Sequence, residues 1–517
     1  MRIIPLGLAT LAAIACACTA QSRGIPPEKL QQYTTPGYAL VMSDGDEASL
    51  LATRLSQISS LLTTLAPELG ASNGFPATIF VTPHHHWNKY FADGELDSGR
   101  LTQRFSYFVV LAGWRSGGGL RTAAYYEYAG LFMQTHYPGR LPLWYELGMA
   151  NLAYGAALDS NGATIGLDPF DSPRMYGGTA FSFRSDLSRR LRKNRLRAAE
   201  LLRLEDTSPA YADYDVAEQA EFQSWKLIHR AYVVDLDLGR QIHDYLGRVA
   251  RFETPEDAAQ KAFGKSLDEF DADMADYEKN SRSHFRQVQF SPAPVTTLST
   301  PREIDSSRAV LMVARALVDS GSKPAKIARI LEDAANSKSD YADLLALKMR
   351  VAIRERDDTT LGLLIKEAEA HIGQPRVARE LALALYERVH EEVPGSGEDF
   401  PGRQAMRERA LNLLAWRVIE SPDDIEAVWS HAMLAAVLKR NLDVAQDGIT
   451  RARERLPRSP DLALAAALVK DARGQGDSAV EDLMGIVRFT SNAELRLWAA
   501  RHIDMKRREA SLQGSQP

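Results

Sequence analysis

Between residues 46 and 65 the apolar positions fall at Leu50, Leu51, Leu55, Ile58, Leu61 and Leu62. Steps of three and four put them on one side of a helix, so the pattern predicts an amphipathic helix there. Around it lie short apolar runs at residues 38–42, 77–82 and 105–111, each of strand length and rich in branched or aromatic residues. Helical spacing returns at residues 120–135. The order strand, helix, strand, strand, helix predicts an α+β domain in which helices back a small sheet. Beyond residue 301 the chain becomes Ala/Leu-rich, with stripes at helical spacing such as Leu344, Leu347 and Val351. The expected fold class is an α+β N-terminal domain followed by an all-α domain.

The tail contains an internal repeat. Trp429, Ala445, Ala452 and Pro457 stand at offsets of 16, 7 and 5. Moving 34 residues on gives Ala463, Ala479, Ile486 and Ser491, and moving 35 back from Ala445 and Pro457 gives Ala410 and Pro422. Small residues at such positions let paired helices approach closely. The period of about 34 resembles that of tetratricopeptide repeats, which implies a stack of helix pairs able to take a protein or peptide partner.

Aromatic content marks the same boundary: residues 1–300 hold 35 of the 42 Phe, Trp and Tyr. A Pro-rich polar stretch at 290–301 separates the regions. The net charge of -5 argues against a nucleic-acid partner and against a polybasic membrane surface. The only cysteines are Cys16 and Cys18, so neither a disulfide framework nor a thiolate zinc site is expected. Both sit behind Arg2 and a short apolar run, which reads as an export signal. Ala13-Ile14-Ala15-Cys16 resembles a lipoprotein box, with a lipid anchor on Cys16 or on Cys18 and cleavage after Ala20 as the alternatives. The expected localisation is the periplasm or cell envelope, and the lipid anchor is the only membrane attachment expected.

The main functional clue is Tyr126-Glu-Tyr-Ala-Gly130 followed by Leu141-Pro-Leu-Trp-Tyr-Glu-Leu-Gly-Met-Ala150. Further on come Ile165-Gly-Leu-Asp-Pro169, Phe222-Gln-Ser-Trp-Lys-Leu-Ile-His229, Ala262-Phe-Gly-Lys-Ser-Leu-Asp-Glu-Phe270 and Tyr277. In this order they resemble the gluzincin metallopeptidases of the peptidase-MA-like type, over residues 38–277. In such enzymes an H-E-x-x-H helix supplies two zinc-binding imidazoles one turn apart and a general base, and a later Glu completes the site. The resemblance places the base at Glu127 and the ligands at Tyr126, Gly130 and Glu146. Gly130 has no donor atom, and Tyr126 ligates only as a phenolate. Glu146 alone is a poor zinc site, and without zinc there is no activated water for Glu127. The implied reading is an inactive homologue with no cofactor, Glu127 a vestigial base and the neighbouring tyrosines packing residues.

Other clusters carry less. His84-His85-His86 is a polar loop in which only His84 and His86 share a side. His136 is out of phase with Gly130. The basic run from Arg184 through Arg195 to Arg197 reads as a solvated face. The expected organisation is a signal peptide at 1–20, a linker at 21–36, a degenerate peptidase-like domain at 37–288, a linker at 289–301, helical repeats at 302–510 and a disordered tail at 511–517. The expected function is a non-catalytic envelope protein joining the two domains. The alternatives are an active zinc peptidase with a substituted metal site, or a glycan hydrolase using Glu127 and Glu146 as paired carboxylates.

Overall fold

The computed structural model describes residues 29–43, 45–70, 75–82, 98–103, 105–112, 119–137, 141–171, 195–205, 208–251, 253–280, 284–290, 298–319, 324–336, 340–390, 402–490 and 493–513. Its strands are β1 (Leu30–Thr34), β2 (Ala39–Met42), β3 (Ala77–Thr82), β4 (Ser98–Gln103), β5 (Ser106–Ala112), β6 (Ala157–Leu158), β7 (Gly162–Ile165), β8 (Arg286–Gln289) and β9 (Arg302–Ile304). The main sheet has the order β4-β5-β3-β2-β1-β9, and β6-β7-β8 form a second, smaller one. In the main sheet β2, β3 and β5 are parallel, while β1, β4 and β9 pair antiparallel with their neighbours.

Alternation along the strands sorts the side chains into two buried faces. Leu40, Met42, Ile79, Val81, Val109 and Leu111 join the core under helices α1 (Gly45–Leu65), α2 (Gly119–His136) and α3 (Leu143–Tyr154). The predicted stripe of α1 is buried there through Leu51, Leu55, Ile58, Leu61 and Leu62, while Leu50 stays exposed. Further helices extend this layer: α4 (Ala198–Arg203), α5 (Tyr214–His229), α6 (Leu236–Val249), α7 (Pro255–Phe263) and α8 (Leu267–Asn280). One π-helical turn, Arg230–Val234, joins α5 to α6.

The opposite face carries Leu30, Val41, Phe80, Phe108 and Val110. It is covered by α9 (Ser306–Asp319) and α10 (Pro324–Asn336) through Val310, Val313, Leu317, Ile327 and Ile330. The chain therefore does not leave the first domain at residue 302, as the sequence reading had it. Arg302–Ile304 adds β9 to the sheet edge beside β1, and Ser299 exchanges hydrogen bonds with Thr34. The expected linker at 21–36 is corrected as well, because residues 30–34 form β1, with Leu30 and Tyr33 buried. Both errors have one cause: these strands are short and partly polar, and they are stabilised by partners far away in sequence.

Eight helices follow in consecutive pairs, α11 (Tyr341–Arg354) with α12 (Asp358–Ala370), α13 (Pro375–His390) with α14 (Arg403–Glu420), α15 (Ile425–Leu438) with α16 (Leu442–Arg455) and α17 (Pro460–Ala472) with α18 (Gly476–Phe489). A final helix, α19 (Ala493–Gln513), packs on α18 and runs into the tail expected to be disordered. Of the positions picked out by the offsets, Trp429, Ala410, Ala445, Ala452, Ala479 and Ile486 are buried, Ala463 is half-buried, Pro422 and Pro457 are exposed, and Ser491 lies outside the described residues. The first helices of the pairs are tied together by charge. Glu426 on α15 accepts from Arg350 on α11 at 2.6 Å, Arg315 on α9 at 2.8 Å and Arg379 on α13 at 3.0 Å. Arg379 also forks onto Asp424 at 2.5 and 2.8 Å, and Arg417 on α14 reaches the same carboxylate at 3.1 Å. Burial opposes ionisation of Glu426, yet Arg350, Arg315 and Arg379 together hold it well below the usual carboxylate range. Among the described residues no helix is long and apolar enough to cross a membrane.

Candidate functional site

Helix α3 is buried all round, from Trp144 to Ala153, as expected of a helix with apolar residues on every side. Extended Pro142 starts it and places Glu146 in the first turn, where the backbone N–H groups favour negative charge. Helix α2 packs beside it and divides its tyrosines between two environments. Tyr125 and Tyr128 are packing residues. Tyr128 lies edge-on to Tyr38, 5.5 Å between ring centroids, with its hydroxyl 2.8 Å from that of Ser59. Burial pushes its phenol up to about 12.

Tyr126 faces α5 instead, and its hydroxyl donates to Glu221 at 2.9 Å. Burial first, then the charges of Glu221 and Glu127, raise the Tyr126 phenol well above its ordinary range. Glu221 is itself raised by burial; the Tyr126 hydrogen bond pulls it back, and Glu127 and Glu218 push it further up. Glu146 accepts from Gln134 Nε2 at 2.9 Å, and Gln134 stands one turn past Gly130 on α2. Glu127 and Glu146 thus occupy adjacent packed helices, both buried. Glu127 acts electrostatically on Glu221, a carboxylate that sequence reasoning missed. Gln134 was legible as the next step of the 126–130 stripe. Nothing in the sequence pairs residues 126 and 221.

Several separated segments of the resemblance meet in space. Gly148 is the point where α3 crosses α5: a Cβ there would stand 2.4 Å from Ile228 Cγ1 and 2.6 Å from the carbonyl oxygen of Ser224, so no side chain fits without moving backbone. His229, at the end of α5, has Nε2 3.2 Å from the His284 carbonyl oxygen and Nδ1 2.6 Å from the Tyr277 hydroxyl. A carbonyl only accepts, so Nε2 carries the proton and Tyr277 donates to Nδ1. The Ala262–Phe270 segment is a helix junction. Gly264 ends α7 at φ 65°, a left-handed conformation that glycine adopts freely. Ser266 and Glu269 then cap α8 reciprocally.

A second polar cluster was not foreseen. Glu68 lies 2.5 Å from His243 Nδ1, the Tyr232 hydroxyl is 3.2 Å from His243 Nε2, and the Tyr145 and Tyr232 hydroxyls are 2.9 Å apart. The π-helical turn brings Tyr232 into this cluster. Arg195, read as part of a solvated basic face, is instead paired with Asp271 at 2.7 Å and Glu278 at 3.0 Å, because burial of α8 against this segment demands a counter-charge. His136 bonds the Phe132 carbonyl at 3.0 Å and stacks on that ring. Cys16, Cys18, His84 to His86 and residues 184–193 lie outside the described residues.

Zinc, which the resemblance implies, does not fit these donors. The Tyr126 phenol is held protonated on Glu221, Gly130 has no side chain, and one oxygen of Glu146 accepts from Gln134. Among the described residues no group of three His, Cys, Asp or Glu is arranged to hold a metal ion. No protein-family model, no curated protein and no solved structure matches the chain.

Two buried imidazoles set an expected acid sensitivity. Burial chiefly lowers His229 to about 4, and burial alone lowers His431, inside the helical pairs, to about 4. A histidine depressed in the fold takes up its proton more readily when unfolded. Its contribution is therefore complete above about 6.5 and is lost as pH falls toward 4. Each is worth on the order of 3 kcal/mol. Glu221 and Glu278, raised by burial, act in the opposite sense and flatten the curve. The urea midpoint will fall between pH 7.5 and pH 5, and His431→Leu will lose part of that slope. An unchanged slope in the variant would remove His431 from the account.

Proposed function

We propose that this protein is a non-catalytic cell-envelope protein in which a degenerate gluzincin-like domain carries a tetratricopeptide-like interaction domain. The observation that carries the reading is the Tyr126–Glu221 hydrogen bond. At the position where an active enzyme needs a neutral imidazole lone pair, this chain has a protonated phenol already donating to a buried carboxylate. A buried acid neighbour that accepts from Tyr126 stabilises the phenol against ionisation, which opposes its use as a phenolate ligand at neutral pH. Glu127 is left without a metal-bound water to deprotonate. Export follows from the leader, and partner binding from the stacked helix pairs.

The test is metal stoichiometry. Wild-type protein saturated with zinc and desalted will retain well under one equivalent, with no chelator-sensitive change in melting. Tyr126→His with Gly130→His will take up close to one equivalent, because two imidazoles one turn apart then join Glu146. Bulk at buried position 130 will cost about 1–3 kcal/mol. Peptidase activity will lag behind zinc uptake, since turnover also needs neighbours that orient the imidazoles. Stoichiometric zinc in wild type with chelator-dependent stability would replace this reading with the active-peptidase one. A folded double variant that takes up no zinc would show that 126 and 130 are not ligand positions.

A further inference from the structure

Arg458 from the helical pairs and His136 from the first domain meet beside Gly70. Arg458 directly precedes α17, whose N-cap is the buried Ser459. Across the seam the Gly70 N–H donates to the carbonyl oxygen of His136, the last residue of α2, at 2.9 Å. A Cβ on Gly70 would stand 3.3 Å from Arg458 Nη2, 3.7 Å from its Nη1 and 3.7 Å from that same carbonyl oxygen. The bare glycine thus gives the guanidinium its place against this corner of the first domain. Arg458 Nη1 is buried and meets no hydrogen-bond acceptor among the described residues.

The His136 ring is half-buried and stacks on Phe132, 3.9 Å between centroids. Its Nδ1 lies 3.0 Å from the Phe132 carbonyl oxygen, which only accepts, so Nδ1 carries the proton of the neutral ring and Nε2 the lone pair. Burial chiefly lowers this imidazole, the Phe132 carbonyl opposes that, and the charge of Arg458 lowers it further. No carboxylate among the described residues bears on it. Glu68, the acid of the adjoining turn, is engaged with Tyr145 at 3.3 Å and His243 at 2.5 Å.

A guanidinium nitrogen buried without an acceptor is costly, and its planar fork of N–H groups matches two oxygens of one anion. The positive end of α17 lies next to it. We propose that this corner of the seam binds a divalent tetrahedral oxyanion of the phosphate class, held by Arg458 from one side and His136 from the other, so that the anion clamps the two domains together. His136 donates through Nε2 only as imidazolium, so binding takes up a proton and strengthens as pH falls. The proposal goes beyond the non-catalytic reading and uses none of its residues.

The experiment is calorimetric titration of the full chain with sodium sulfate at constant ionic strength, since the charge of sulfate is the same at pH 5.5 and 7.5. Wild type will bind at one saturable site, about threefold or more tighter at pH 5.5. Arg458→Gln will weaken binding about tenfold or more at both pH values. His136→Gln will match wild type at pH 7.5 and lose the gain at pH 5.5. Should Arg458→Gln melt below the working temperature, Arg458→Lys, which keeps the charge but not the fork, must still bind several-fold more weakly. Phenyl phosphate beside inorganic phosphate separates a phosphate monoester from the free ion, both within the proposed chemistry. A folded wild type with no saturable binding, or a folded Arg458→Gln with unchanged affinity, overturns the proposal. A His136→Gln variant that keeps the pH gain removes His136 from the site and overturns the clamp.

Discussion

A chain ending at residue 301 will not fold cooperatively, whereas one ending at residue 336 will. The shorter chain keeps the leading strands and the helices of the first domain but loses β9, α9 and α10. That uncovers Leu30, Val41, Phe80, Phe108 and Val110 together, all buried in the intact protein. Burying a side chain of this size contributes about 1.5–3 kcal/mol, so the exposed face forfeits roughly 10 kcal/mol. Domains have only about 5–15 kcal/mol to lose. The edge of β1 would also be left unpaired beside this apolar surface, a template for aggregation. Circular dichroism melting and dye binding to exposed apolar surface read the result. A cooperative melt of the shorter chain within a few degrees of the longer one would mean that the sheet is stable with one face bare.

Glu426→Ala will be the most damaging single substitution in the helical region, at about 3–5 kcal/mol. Three guanidinium groups converge on this carboxylate from α9, α11 and α13. The side chains of Arg350 and Arg379 are only 11% and 15% exposed, so their charges are poorly hydrated once the acceptor is gone. Glu387 and Asp424 remain as partial partners, which keeps the cost toward the lower end. Arg315→Ala will cost much less, about 1 kcal/mol or under, because Arg315 is 41% exposed and water replaces its partner. Urea midpoints of the two variants give the comparison. Equal losses would mean that Glu426 acts as an ordinary surface ion pair.

Both results involve α9, which covers one face of the sheet and also reaches Glu426 of the helical pairs through Arg315, and neither contact was visible in the sequence pattern. The periodicity of residues 46–65 located α1 to within a residue, and the apolar run at 77–82 located β3, because each signal is local and strong. Repeat offsets identified the small residues Ala410, Ala445, Ala452 and Ala479, which are buried, for the same reason: a small residue where paired helices cross is a property of the helix pair itself. The pattern also identified Val41, Phe80 and Val110 as members of apolar runs. It did not show that α9 and α10 cover them, since an apolar face records the need for a cover and not its identity.

At the candidate site the chemistry of the residues was readable and their partners were not. Gly130 lacks a donor wherever it lies, so its inability to hold a metal through a side chain followed from residue type alone. The destination of the Tyr126 phenol, 95 residues away on Glu221, and of Glu146 on Gln134 followed only from the packing of α3 against both α2 and α5. Likewise the composition of the tail disclosed helical pairs, but the seating of Phe105 on Trp429 required both domains in place. Sequence by itself determined the elements, their apolar faces and which donor atoms exist, because those depend on covalent structure and local spacing. Tertiary structure alone decided which faces and charges meet, because those contacts join residues whose separation along the chain carries no periodic signal.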